Sequence, residues 1–228
     1  MSDDLAFVSA LDQASMVRSH EVSPVELAEL YLERIERINP RLGAYLTVAA
    51  DHALDTARLA EKALGDGGDL PEFHGVPISI KDLNDTAGIR TTHGTAAWSE
   101  RIPGRDDAVV AKIRGAGFVI LGKTVAPEFG PLNVSEPPAY PPGRNPWDLE
   151  RSCGGSSGGA ASALVAGLCP ISQGSDGGGS IRNPSSWCGS YGIKPSRSRV
   201  SSAPGPDSFF SINGPMGRTV ADTAALLD

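Results

Sequence analysis

Two serines, Ser156 and Ser180, each sit inside a run of glycines, and only 24 positions separate them. The first run, Cys153-Gly-Gly-Ser-Ser-Gly-Gly159, leads directly into an alanine-rich stretch from Ala160. The second, Gly174-Ser-Asp-Gly-Gly-Gly-Ser-Ile-Arg182, follows a short apolar run over Cys169 to Ser172. Glycines open backbone conformations closed to other residues, so a hydroxyl among them can be held where an ordinary loop would not hold it. Consecutive glycines also gather main-chain N–H groups into a concavity suited to an anion, which makes the second run a candidate oxyanion hole. A flexible connector is the plain alternative for either loop alone. Two such loops linked by one short helix and one strand argue against it.

A third segment carries a lysine. Gly75-Val-Pro-Ile-Ser-Ile-Lys-Asp82 reads as an apolar strand ending in a lysine. Taken alone, Lys81 snorkels to water past the end of that strand.

Rival motifs fit poorly. Neither loop has the spacing or the Lys-Ser/Thr pair of a phosphate-binding Walker loop, and there is no G-x-G-x-x-G. Gly154-Gly-Ser-Ser-Gly158 formally matches the G-x-S-x-G elbow, but Asp148 to Ser152 is too polar for the strand that should deliver it. All four histidines, His20, His52, His74 and His93, precede the serine instead of following it. No HExxH, His-x-His or Cys-His spacing points to a metal, and no cofactor motif is present. His74 and His93 are assigned structural or solvent roles.

The rest of the chain supplies a scaffold. Ser23-Pro-Val-Glu26 is a helix start with a capping box, continued by Leu27, Leu30, Tyr31, Ile35 and Ile38 at helical spacing and expected to stop at Asn39-Pro40. Ala44 to Val48 reads as a strand. A helix from Asp51 carries Ala53, Ala57, Ala60 and Leu64 and ends at Gly65 to Gly68. Val76 to Ile80, Phe118 to Leu121 and Cys169 to Ser172 read as buried strands, Asp107 to Arg114 and Thr219 to Leu227 as helices. Alternating strands and helices give an α/β class with a sheet under helical cover. The division expected is a helical segment over 1–68 packed on a core over 69–228, the whole forming one domain. The final helix runs to Asp228 without a terminator, so a fragment lacking its C-terminal part is expected.

Composition narrows the function. With 20 Lys and Arg against 27 Asp and Glu, a net charge of −7 and no basic run, nucleic acid is not expected as a direct partner. The most apolar stretch, Ala160 to Ile171, is too short to span a bilayer and is broken by Gly167 and Pro170, so no membrane partner is expected. The start, Met-Ser-Asp-Asp, has no secretion signal, which makes the cytoplasm the expected location, and Cys153, Cys169 and Cys188 are expected to be reduced.

These pieces together resemble the amidase signature family. The resemblance is carried by Val76-Pro-Ile-Ser-Ile-Lys-Asp82, the two glycine loops and Cys188-Gly-Ser-Tyr-Gly-Ile-Lys-Pro195, in that order, with 75 positions from Lys81 to Ser156 and 24 from Ser156 to Ser180. It extends to the Ser23-Pro24 helix, Gly122-Lys-Thr124, Asn145-Pro-Trp147 and Gly214-Pro215. The resemblance implies a mixed β-sheet covered by helices on both faces, and a Ser-Ser-Lys triad with Ser180 as nucleophile, Ser156 as relay after a cis peptide bond from Gly155, and Lys81 as base. It further implies an oxyanion hole from the N–H groups of Gly177, Gly178, Gly179 and Ser180, with Ser157, Asp176 and Arg182 supporting the loops. The implied activity is hydrolysis of a small linear or cyclic amide through an acyl-enzyme, and a homodimer remains open. One alternative is the glutamine-hydrolysing subunit of a tRNA-dependent amidotransferase. Its loop usually reads Gly-Thr-Asp-Thr-Gly-Gly-Ser-Ile-Arg-Gln, whereas Ser175, Gly177 and Asn183 stand here. The other alternative is a non-catalytic binding protein on the same fold. Cys153 and Ala160 also depart from the family's frequent proline and serine.

Overall fold

A computed structural model of the chain describes residues 3–66, 68–201 and 209–228. In chain order, α1 (Ala10–Arg18), α2 (Pro24–Leu42), β1 (Tyr45–Val48) and α3 (Ala50–Asp66) precede β2 (Pro77–Lys81), α4 (Ala108–Gly115) and β3 (Val119–Thr124). A hairpin follows, β4 (Arg144–Asn145) with β5 (Asp148–Ser152). Then come α5 (Gly158–Val165), β6 (Ile171–Asp176), α6 (Arg182–Cys188), β7 (Tyr191–Gly192), β8 (Ile212–Gly217) and α7 (Val220–Leu227).

Local chemistry sets the helix ends. The Ser23 hydroxyl accepts from the Glu26 N–H while the Glu26 carboxylate accepts from the Ser23 N–H, so two donors that α2 would otherwise leave unpaired are satisfied. The expected stop at Asn39-Pro40 does not occur: α2 continues through Pro40 to Leu42. A proline in the last turn forfeits only its own N–H. The terminator is Gly43, left-handed at φ 59°, whose N–H reaches the Asn39 carbonyl.

Six strands form one mixed sheet in the order β1-β3-β2-β6-β8-β7, with β3, β2 and β6 parallel and the other pairings antiparallel. Every residue of β2 and β3 is buried, as central parallel strands require. Alternation along them sorts the two faces. Ile78, Ile80 and Ile120 meet α4 through Val109, Val110 and Ile113, whereas Val119 and Leu121 meet α2, α3 and α5 through Tyr31, Ile35, Ala57 and Leu164. Helices therefore cover both faces. β1 belongs to the same sheet as β3, so the 1–68 segment contributes a strand as well as helices, and the two parts share one core.

Two strands run further than their apolar residues suggest. β3 continues through Lys123 because the buried Nζ donates to the Asn84 carbonyl and to the hydroxyls of Thr86 and Thr91. Burial pulls this amine down to about 8 against the attraction of Asp82. β6 continues through Ser175 and Asp176 because β8 pairs with it along its whole length. Asp148 to Ser152, polar as read, is nevertheless a strand. Among the described residues it pairs with β4 alone, in a separate two-stranded sheet whose side chains are exposed or half-buried, and takes no place in the main sheet.

The approach of α5 to the sheet depends on Gly159. A Cβ there would lie 2.5 Å from the Val125 nitrogen and 2.6 Å from the Ala44 carbonyl oxygen, both rigid backbone. Gly159→Ala is expected to lower stability by about 1–3 kcal/mol through overpacking, readable as a drop in the urea midpoint with an unchanged m-value.

Candidate active site

β2 ends at Lys81 on the side of the sheet that α5 covers, and the loop before α5 brings Ser156 to it. The Lys81 side chain is fully buried. Its Nζ lies 2.7 Å from Ser156 Oγ, 3.0 Å from Ser175 Oγ and 3.3 Å from the Ser175 carbonyl oxygen. Among the described residues, no carboxylate touches it. Desolvation pulls its pKa down to about 7, and the more distant charge of Asp176 opposes that shift without reversing it. Above that pH the amine carries a lone pair, and the Ser156 hydroxyl can donate to it.

Ser156 follows a cis peptide bond from Gly155 and is almost fully buried. Its carbonyl accepts from the Ser135 hydroxyl at 3.3 Å, and Ser135 Oγ in turn accepts from the Gly158 N–H at 3.0 Å. Ser157 laces the two glycine loops together. Its N–H donates to the Ser180 carbonyl at 3.0 Å, its hydroxyl donates to the Ser175 carbonyl at 3.1 Å, and its Oγ accepts from the Ser175 N–H at 3.2 Å.

Asp176 organises the loop that carries Ser180. Its carboxylate accepts from the N–H groups of Gly179 (2.8 Å), Ile181 (3.0 Å) and Arg182 (3.3 Å), and from the Arg182 guanidinium at 2.9 and 3.0 Å. Burial would raise this carboxyl, but the Arg182 side chain and the three N–H donors outweigh it and hold the pKa at about 2. The Gly179 N–H is thereby committed to Asp176, so it is not free to receive an oxyanion as the reading of the sequence expected. Gly177 and Gly178 are exposed to the cleft. Asp176→Ala is expected to cost roughly 3 kcal/mol or more, because it removes a multiply bonded buried carboxylate and strands its donors. In wild-type protein this contribution is present above the unfolded carboxyl pKa and fades as pH falls toward about 2. Urea titrations at neutral and acid pH check both statements.

Ser180 is partly exposed, and its hydroxyl makes no hydrogen bond among the described residues. It shares with Ser156 a cleft of about 600 Å³ whose walls include Leu83, Phe129, Leu132, Gly177, Gly178 and Phe210. The link from Lys81 to Ser156 is therefore formed, and the one from Ser156 to Ser180 is open. His93 stays outside the chain of contacts, bonded to Asp85 and packed edge-on against Trp98. His74 is buried against the Ala60 carbonyl.

Reading the sequence missed Ser175 and Ser135. Ser175 stands inside the second glycine run and was open to notice. Ser135 lies in a loop with no local signal, and only folding brings it to Ser156.

The chain belongs to the amidase family, whose model, described as Amidase, matches residues 26–228. AmiB2 of Mycobacterium tuberculosis is 47% identical over 99% of this chain and 49% of its own length. The acylamidase of Rhodococcus erythropolis is 39% identical over 99% of this chain and 48% of its own. Among solved structures, 6-aminohexanoate cyclic dimer hydrolase in complex with substrate superposes with a TM-score of 0.89 at 36% identity, covering 97% of this chain and 46% of that one. The chain thus spans about half the length of these relatives. Among the described residues, no helix is long and apolar enough to cross a membrane.

Proposed function

We propose that the protein hydrolyses the C–N bond of a small linear or cyclic amide through an acyl-enzyme on Ser180. The observation that carries this reading is a fully buried lysine bonded to the hydroxyl of Ser156, at the edge of a cleft that Ser180 also lines. Uncharged Lys81 takes the Ser156 proton as Ser156 takes that of Ser180, and Ser180 Oγ bonds to the amide carbon. The oxyanion is received by the N–H groups of Gly177 and Gly178, which line the cleft beside Ser180. Collapse breaks the C–N bond. The leaving nitrogen takes its proton from Ser156, which is resupplied by the Lys81 ammonium. Water then cleaves the acyl ester by the same relay, releasing the acid and restoring Ser180. Ser157, Asp176 and Arg182 keep the two loops in register.

The test is a panel of linear, aryl and cyclic amides and L-glutamine given to the full-length protein, glutamine also in the presence of amidotransferase partner subunits. Turnover of simple amides by the protein alone supports the proposal. Glutamine hydrolysis only in the assembled complex would replace it with the amidotransferase reading. A failure of a fluorophosphonate to label Ser180 would leave the non-catalytic one.

A further inference from the structure

β2 and β6 pair in parallel from Ile78 with Ile171 to Ile80 with Gln173, and there the pairing stops. Lys81 is the next residue of β2. Its main-chain N–H is buried and needs an acceptor that β6 no longer supplies from its backbone. The acceptor is the side chain of Gln173, whose Oε1 lies 3.1 Å away. The nitrogen of the same amide lies 2.7 Å from the Gly174 carbonyl, 2.9 Å from Asn213 Oδ1 and 3.0 Å from Asn84 Oδ1. A main-chain N–H on one side and a main-chain carbonyl on the other fix which end of the amide is oxygen.

Two residues past the last pair, Ser175 of β6 meets the Lys81 amine through both its hydroxyl and its carbonyl. Parting without a substitute rung would leave the lysine's own N–H unpaired in the core. Gln173 is only 2% exposed, and its polar atoms are spent entirely on this junction of β2, β6 and β8.

We infer that Gln173 is a positioning residue for Lys81, a side-chain rung that holds the lysine's main chain where β2 and β6 separate. The inference rests on the role proposed for Lys81. Proton transfer falls steeply with small displacements of the base. In acylation an amide uses the relay both to deprotonate Ser180 and to protonate the leaving nitrogen, an activated ester only for the first, so the loss through Gln173 is larger on the amide.

The experiment compares an anilide and a p-nitrophenyl ester of one acyl group, both given to the full-length protein. The anilide needs its leaving nitrogen protonated, whereas p-nitrophenolate departs unaided. Gln173→Met keeps the length and removes the acceptor. It is expected to lower kcat on the anilide about tenfold, with KM within about twofold and the ester rate reduced less than about threefold. Equal losses on both substrates, or no loss on the anilide, would overturn the inference. Asn213→Ala loosens Gln173 from its far side, and the same selective loss at smaller size is expected even if Gln173→Met does not fold. An unselective loss in Asn213→Ala counts against it. Wild-type protein that cleaves the ester but no amide would refute the amidase reading itself, a result distinct from either.

Discussion

Ser180→Ala is expected to reduce amide hydrolysis by the full-length protein on the order of 10⁴-fold or more in kcat, because no acyl-enzyme can form without the hydroxyl and only the binding and oxyanion contributions remain. The same change is expected to move stability by no more than about 0.5 kcal/mol. The Ser180 hydroxyl is partly exposed and bonded to none of the described residues, so its removal strands no partner. The carbonyl that anchors the loop to Ser157 is main chain and survives the substitution. Stopped assays for turnover beside urea titrations separate the two expectations. A large loss of activity accompanied by a large loss of stability would mean that Ser180 holds the loop and does not do the chemistry.

Lys81→Met is expected to cost a similar factor in kcat, roughly 10⁴-fold, with a different signature in stability. Methionine matches the length of the lysine stem and needs no solvent, whereas the wild-type amine must be stripped of water. Burial pulls the folded amine down to about 7 from the 10.5 of an ordinary lysine. Between these values the unfolded chain binds more protons than the folded one, so wild-type stability rises with pH across that window. Below about 7 both states are protonated and the full penalty of a buried charge applies. The methionine variant is therefore expected to be at least as stable as wild type under mildly acid conditions. Its advantage should shrink as pH rises toward the ordinary lysine value of 10.5. Denaturant midpoints of both proteins across that range check the sign.

Much of this arrangement was open to reading because it is local. Ser23 and Glu26 announce the start of α2 from four adjacent residues, and Lys81, Ser156 and Ser180 stand in segments whose apolar or glycine content is unusual by itself. What escaped depends on partners distant in the chain. Nothing in Gln-Gly-Ser-Asp suggests a strand, yet β6 extends through it because Asn213 and Ile212 pair opposite Ser175 and Asp176. Lys123 looks like the end of a strand until Asn84, Thr86 and Thr91 are seen to receive its amine. The commitment of the Gly179 N–H to Asp176 was also hidden, since consecutive glycines do not reveal which N–H turns inward to a carboxylate and which outward to the cleft. Pro40 misled in the opposite direction, because a proline only three positions before a left-handed glycine disturbs little of the helix it ends.

The chemistry proposed for Ser180 requires an amine kept uncharged by burial. Its most direct test is the pre-steady-state rate of Ser180 acylation by an amide, measured in the full-length protein as a function of pH. The rate should climb through a single ionisation near the value of about 7 that burial gives Lys81, and level off above it. A rate that stays flat through neutrality and rises only where an ordinary solvated lysine ionises would show that Lys81 is not the base.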